Sequence, residues 1–207
     1  MLFIGNSHTE ANNLTESIRF MLERSNALGT VAVEKLFCGS LQDLDKNQDV
    51  AQKIRDGKWK FVILQAQQIS MSHKYSYSTD VAVRLGKLAT ESGARVLYFA
   101  EWPREGIRET DYIYNIYKGI AKQVGAEVVP VGHAFDNATS KNPYLKLWAP
   151  DGNHSSPLGA QLAARTFYFW IIGESATPPT SPAGARLDEK TRTLFDESAL
   201  SACKEHR

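Results

Sequence analysis

Cysteine, methionine and long apolar runs are all scarce in this chain of 207 residues, which has two cysteines and three methionines. Cys38 and Cys203 stand far apart without metal-ligand spacing, and nothing marks a disulfide-stapled scaffold, so unpaired thiols are expected. No apolar run approaches the roughly 18 residues a membrane helix needs, and no membrane association is expected. Neither sign of charge is in excess. The 24 Lys and Arg against 23 Asp and Glu leave a formal charge of +1, with no basic surplus for nucleic acid and no charged tail. His8, His73, His133 and His206 carry no ligand spacing, so neither a metal nor another cofactor is expected. Met1 leads straight into an apolar run only as long as a strand, with no charged region before it and no small-residue cleavage site. No signal peptide is expected within the chain; a leader removed upstream, and the compartment, stay open.

What is present is the pattern of an ordinary globule, with 43% hydrophobic and 23% charged residues and a length that suits one α/β domain. Leu2-Phe3-Ile4 stops at Gly5 as a buried strand entering a turn does. A helix through Leu14, Ile18, Met21 and Leu22 follows, then a strand over 31–36 and a helix over 45–56 with Val50 and Ile54 turned inward. Phe61-Val62-Ile63-Leu64 is apolar throughout, as a central parallel strand covered on both faces would be. Beyond the polar loop to Thr79 come a helix through Val81, Leu85 and Leu88, a strand over 95–100, a helix from Ile113 to Val124 and a strand over 127–131. Pro130 puts that last strand at a sheet margin. A short helix over 132–138 and a long apolar one over 158–172, opened by Pro157, complete the unit. Residues 1–175 are expected as the main domain, and 176–207 as a Pro-rich linker with a terminal helix over 187–200 packed on it. Strand and helix alternate five times, which predicts a three-layer α/β/α unit around a five-stranded parallel sheet. Its ligands should gather beyond the carboxyl ends of the strands.

Two short stretches carry chemistry. In Asp151-Gly152-Asn153-His154 an acid and an imidazole three residues apart fit one tight turn, where the carboxylate accepts from Nδ1–H and Nε2 stays free to take a proton. In Phe3-Ile4-Gly5-Asn6-Ser7-His8-Thr9 a serine follows a buried strand just ahead of a helix, which exposes its hydroxyl above the sheet beside backbone N–H groups. Taken alone, Ser7 also reads as a turn former or cap, and His154-Ser155-Ser156-Pro157 as the cap of the next helix.

Ile4-Gly5-Asn6-Ser7-His8-Thr9 resembles the first block of the SGNH, or GDSL-type, hydrolases, and Asp151-Gly152-Asn153-His154 resembles their last block, Asp-x-x-His. The resemblance implies a flavodoxin-like SGNH-hydrolase fold and a serine esterase. Ser7 would then be the nucleophile, His154 the base and Asp151 the group that orients it. The oxyanion hole would be drawn from the Ser7 N–H, the Gly39 N–H in Phe37-Cys38-Gly39-Ser40 and a side-chain amide. Here the chain departs from the family, placing Leu64-Gln65-Ala66-Gln67-Gln68 where most members carry Gly-x-Asn-Asp. Gln65 is expected as the third donor because it ends the strand, Gln67 is the second choice, and Gln68 stays open. Asn6 replaces the usual Asp beside the nucleophile, and His8 is expected to be a bystander.

Trp102, Tyr75, Tyr77 and Trp148 fall on loops near the expected rim, either to stack on substrate or to pack beneath the loops. The absence of a long apolar lid favours short acyl groups such as acetyl. Likeness to Gln-bearing branches of the family implies a small-molecule or carbohydrate ester as substrate. Transfer to a sugar hydroxyl, and a non-catalytic binding module on the same scaffold, are the alternative readings.

Overall fold

The computed structural model describes residues 1–179 and 187–207. Five parallel strands, β1 (Leu2–Gly5), β2 (Glu34–Phe37), β3 (Phe61–Leu64), β4 (Arg95–Ala100) and β5 (Glu127–Pro130), form one sheet in the order β2-β1-β3-β4-β5. The chain steps outward from β1 to β2 and then returns to the other side of β1. The strand order therefore reverses between β1 and β3, where open α/β sheets leave a crevice for ligands.

Eight helices cover the sheet: α1 (Ser7–Glu10), α2 (Leu14–Arg24), α3 (Gln48–Asp56), α4 (Asp80–Glu91), α5 (Thr110–Val124), α6 (Val131–Lys141), α7 (Pro157–Ile172) and α8 (Glu189–His206). Alternation along each strand divides the core in two. Phe3, Ile63, Leu97, Phe99 and Val129 face the layer of α2, α6, α7 and α8. Leu2, Ile4, Val62, Leu64, Val96 and Tyr98 face α3, α4 and α5. The result is the three-layer unit that the alternating pattern predicts.

Several boundaries differ from the sequence reading. β2 begins at Glu34 because β1 is only four residues long and offers no partner to Val31. The helix read over 45–56 begins only at Gln48, its start set by the Asn47 side chain accepting from the Val50 N–H, and a 3₁₀ turn, Leu41–Leu44, stands ahead of it. α6 runs past residue 138 to Lys141, since Ala134, Phe135 and Ala138 keep one apolar face against the core. The last helix starts after its Asp188 cap and continues to His206, with Phe195, Ala199, Ala202 and Cys203 buried against the α6 and α7 layer. Of the linker read at 176–186, residues 180–186 lie outside the described residues.

α7 is the hub of its layer, buried from Gly159 to Trp170. Gly159 is there because a Cβ would stand 2.1 Å from the Leu147 carbonyl oxygen, so the loop leading to Asp151 can lie directly on the helix. The Arg165 side chain, fully buried on α7, pairs with Asp196 of α8 at 2.6 Å. Burial lowers the affinity of that guanidinium for its proton and raises that of the carboxyl, so the pair specifies how α8 docks more than it adds stability. Cys38 and Cys203 are both buried and unpaired. Among the described residues, no helix is long and apolar enough to cross a membrane.

Candidate active site

β1 ends at Gly5, and α1 starts at once, capped by the Asn6 Oδ1 accepting from the His8 N–H at 3.0 Å. This places Ser7 at the first position of the helix, where its own N–H has no partner in the described structure. The loop before α7 brings His154 to it. His154 Nε2 lies 2.8 Å from Ser7 Oγ, and His154 Nδ1 lies 2.5 Å from Asp151 Oδ2. The carboxylate facing Nδ1 selects the tautomer that leaves Nε2 bare, so the Ser7 hydroxyl donates to it.

Asp151 has a second task, because its Oδ1 accepts the N–H groups of Asn153 and His154 at 2.9 and 3.0 Å. Those donors and the His154 ring hold the Asp151 carboxyl well below the usual carboxylate range, the ring being the largest cause. The carbonyls of residues 153 to 155 are each held. Trp102 Nε1 donates to Asn153 at 3.0 Å, the Ala149 N–H to His154 at 2.8 Å, and Asn12 Nδ2 to Ser155 at 2.6 Å. Trp102 itself is buried, stacked on Phe135 at 4.6 Å. Trp148 donates to the Pro103 carbonyl, whereas Tyr75 and Tyr77 are exposed on the loop after β3.

Gly39 lies across the mouth of the β1–α1 turn. Its N–H has no partner in the described structure, while its carbonyl accepts from Asn6 Nδ2 over a long 3.4 Å. The neighbouring Cys38 N–H donates to the Gly5 carbonyl at 2.9 Å, fixing β2 beside the Ser7 turn. Two free backbone N–H groups, of Ser7 and Gly39, therefore belong to adjacent strand ends.

The glutamines correct the expectation of a side-chain donor. Gln65 is fully buried, and its Oε1 accepts from the Asn6 N–H and the Thr9 hydroxyl, each at 2.9 Å. Two donors fix that orientation, so the amide nitrogen points away from the turn. Gln67 Nε2 donates to the carbonyls of Gln68 and Ser78, and its Oε1 accepts from Gln42. Neither amide is offered to the Ser7 hydroxyl; one braces the Ser7 turn from below and the other ties down the loop after β3.

Two further residues lie close by: His8, expected as a bystander, and Glu101, which the sequence reading did not single out. His8 lies with its ring 5.2 Å from that of His154 and 5.5 Å from Trp102, and interacts with the Asn153 carbonyl. Burial, and then the nearby His154, push it down to about 4, which keeps it neutral beside the His154 ring. Glu101, at the end of β4, accepts from the Tyr117 hydroxyl at 2.9 Å; burial pushes it up to about 7. Neither had a local signal beyond a strand-end position. Among the described residues, no three His, Cys, Asp or Glu side chains are grouped to hold a metal ion.

This architecture, with a serine at the first strand's exit and an Asp-x-x-His loop before the last core helix, is an SGNH-hydrolase-like fold. Among solved structures, the chain is similar to a provisionally assigned SGNH hydrolase from Slackia heliotrinireducens, at 24% identity and a TM-score of 0.58 over 79% of this chain and 93% of that one. A DUF4886 family protein from Bacteroides uniformis aligns over 97% of this chain and 93% of its own, at 19% identity and a TM-score of 0.72. TesA aligns over 82% and 95%, at 12% identity and a TM-score of 0.57. No family model and no curated protein sequence matches the chain.

Proposed function

We propose that the protein is a serine-dependent carboxylic ester hydrolase. The supporting observation is the run of contacts from Ser7 Oγ to His154 Nε2 and from His154 Nδ1 to Asp151. Ser7 Oγ attacks the ester carbonyl carbon as its proton passes to His154 Nε2. The tetrahedral intermediate collapses when the imidazolium returns that proton to the departing alkoxide, leaving an acyl group on Ser7. Water, deprotonated by the same nitrogen, then attacks the acyl carbon and releases the acid and the free serine. Asp151 stabilises the imidazolium formed in each half-reaction.

The developing oxyanion is received by the N–H groups of Ser7 and Gly39, a hole made of backbone alone. Losing one oxyanion donor costs about 10²–10³ in rate in studied hydrolases, so two preorganised amides are a substantial part of the barrier reduction. The groups around Ser7, namely Asn6, His8, Gly39 and Asn153, are small or polar. They suit a short acyl group such as acetyl better than a long lipid chain. A carbohydrate as the alcohol portion is carried over from the sequence resemblance of the Gln65 strand end.

The test is labelling of the folded protein by a fluorophosphonate probe, together with turnover of acetyl, butyryl and octanoyl p-nitrophenyl esters. Labelling lost in Ser7→Ala and a preference for acetyl are expected. A folded wild-type chain that stays unlabelled overturns the hydrolase, and a preference for octanoyl overturns the acyl assignment.

A further inference from the structure

We infer that the groove between the loop leaving β3 and the outer face of α5 is a binding site for an uncharged, polyhydroxylated ring such as a pyranose sugar. It shares no lining residue with the site of Ser7, Gly39, Asp151 and His154, so the inference does not rest on the hydrolase reading. Its volume of about 470 Å³ is that of a small-molecule site.

One wall is the loop, which is tied down along its length. Ser70 Oγ accepts from the Tyr75 N–H at 3.3 Å, and at the far end the Ser78 carbonyl accepts from Gln67 Nε2 at 3.1 Å. Between them His73, in the left-handed region at φ +56°, stacks on Tyr112 of α5 with ring centroids 4.0 Å apart and meets Glu109 Oε1 at 2.8 Å. The loop is therefore a built wall, yet its own rings are not spent on packing. Tyr75 and Tyr77 stay 69% and 44% exposed.

The floor is a stripe of α5 at helical spacing, with Tyr112, Asn115, Ile116, Gly119 and Gln123. Gly119 stands in the interior of this 15-residue helix without a positive φ, where glycine is among the least favourable residues. Close packing is the usual reason for such a glycine, but a Cβ at Gly119 would meet nothing within 4 Å. Its effect is on the groove, whose floor stays open where a larger side chain would fill it.

The lining identifies the ligand. Aromatic faces receive the C–H face of a sugar. The amides of Gln68 and Asn115, neither of which has a side-chain hydrogen bond in the described structure, offer donors and acceptors to its hydroxyls. Among the described lining residues Lys74 alone carries a full charge, and His73 is engaged by Glu109. An anion would find a single cation, and a hydrocarbon would leave the amides unpaired. A neutral ring edged with hydroxyls uses both kinds of wall.

Isothermal titration calorimetry with cellobiose, xylobiose, maltose and N,N′-diacetylchitobiose, run on the wild type, Gly119→Leu and Tyr75→Ala, tests the site. At least one disaccharide is expected to bind the wild type with a Kd on the order of millimolar or below. Gly119→Leu fills the floor and should abolish that binding while keeping or raising the melting temperature, since leucine suits a helix better than glycine. Tyr75→Ala removes an exposed ring and should weaken binding about tenfold, the scale of one stacking contact. Binding of none of the four by the folded wild type overturns the inference, as does binding that Gly119→Leu leaves unchanged. Fluorophosphonate labelling of Ser7 should be the same in Gly119→Leu as in the wild type, so a chain that labels but binds no sugar loses this site and keeps the hydrolase.

Discussion

Asn12 Nδ2 donates to the Ser155 carbonyl at 2.6 Å, joining the turn after Ser7 to the loop that carries His154 across 143 residues of sequence. Asn12 adopts φ +53°, in the left-handed region that asparagine tolerates better than most residues, and the amide reaches the loop from that conformation. The separation of hydroxyl and imidazole is thereby set by a contact outside both motifs.

Asn12→Gly keeps the backbone conformation and deletes the tie, whereas Asn12→Asp keeps the shape and replaces the donor with an acceptor. Both are expected to lower kcat on p-nitrophenyl acetate about tenfold, with the melting temperature changed little in Asn12→Gly, since loss of alignment by a fraction of an ångström is costly. Wild-type kcat in both variants would show that the loop holds itself.

The Nδ1 partner of His154 is the Asp151 carboxylate, and no backbone carbonyl shares that nitrogen in the described structure. Asp151→Asn should therefore be severe, about 10³–10⁴ in kcat, because an amide can present its NH₂ and select the wrong tautomer. His154→Ala should cost at least as much. Rates in crude ester hydrolysis, corrected by active-site titration, decide between this and a mild effect.

The two glutamines should separate cleanly. Gln65→Ala strands the Asn6 N–H and the Thr9 hydroxyl in a buried place, which is expected to destabilise the fold by about 1–3 kcal/mol and to lower kcat. Gln67 is buried too, but its amide ties only the loop after β3, so Gln67→Ala should leave kcat within about twofold. Denaturant melts with parallel kinetics read both, and a large kcat loss in Gln67→Ala would return that amide to the oxyanion hole.

His8 makes the fold acid-sensitive. Its affinity for a proton is lower folded, about 4, than unfolded, 6.5, so its contribution is complete above pH 6.5 and is lost as pH falls toward 4. Between pH 7.5 and 4.5 the loss is on the order of 2–3 kcal/mol. Urea denaturation at both values should show His8→Gln losing less stability than the wild type by roughly that amount. Equal losses would mean that His8 is not held neutral.

The sequence by itself determined the layers and the pairing of Asp151 with His154. The apolar run Phe61–Leu64 between turn signals reads as a buried strand, the period-two alternation assigns Phe3 and Ile4 to opposite cores, and an acid three residues before a histidine meets it within a single turn. Those features are local, so periodicity and short-range geometry carry them. Which amide faces the nucleophile was not local. Gln65 and Gln67 are alike in type and position, and their roles were decided by what packs against them: the Asn6 N–H in one case, Gln42 and Ser78 in the other. The tie from Asn12, the indole donor of Trp102 and the hydrogen bond from Tyr117 to Glu101 likewise exist only once distant segments meet. A side chain's hydrogen-bond partner in a crevice between strands is chosen by the strand order, and the strand order is a property of the folded chain.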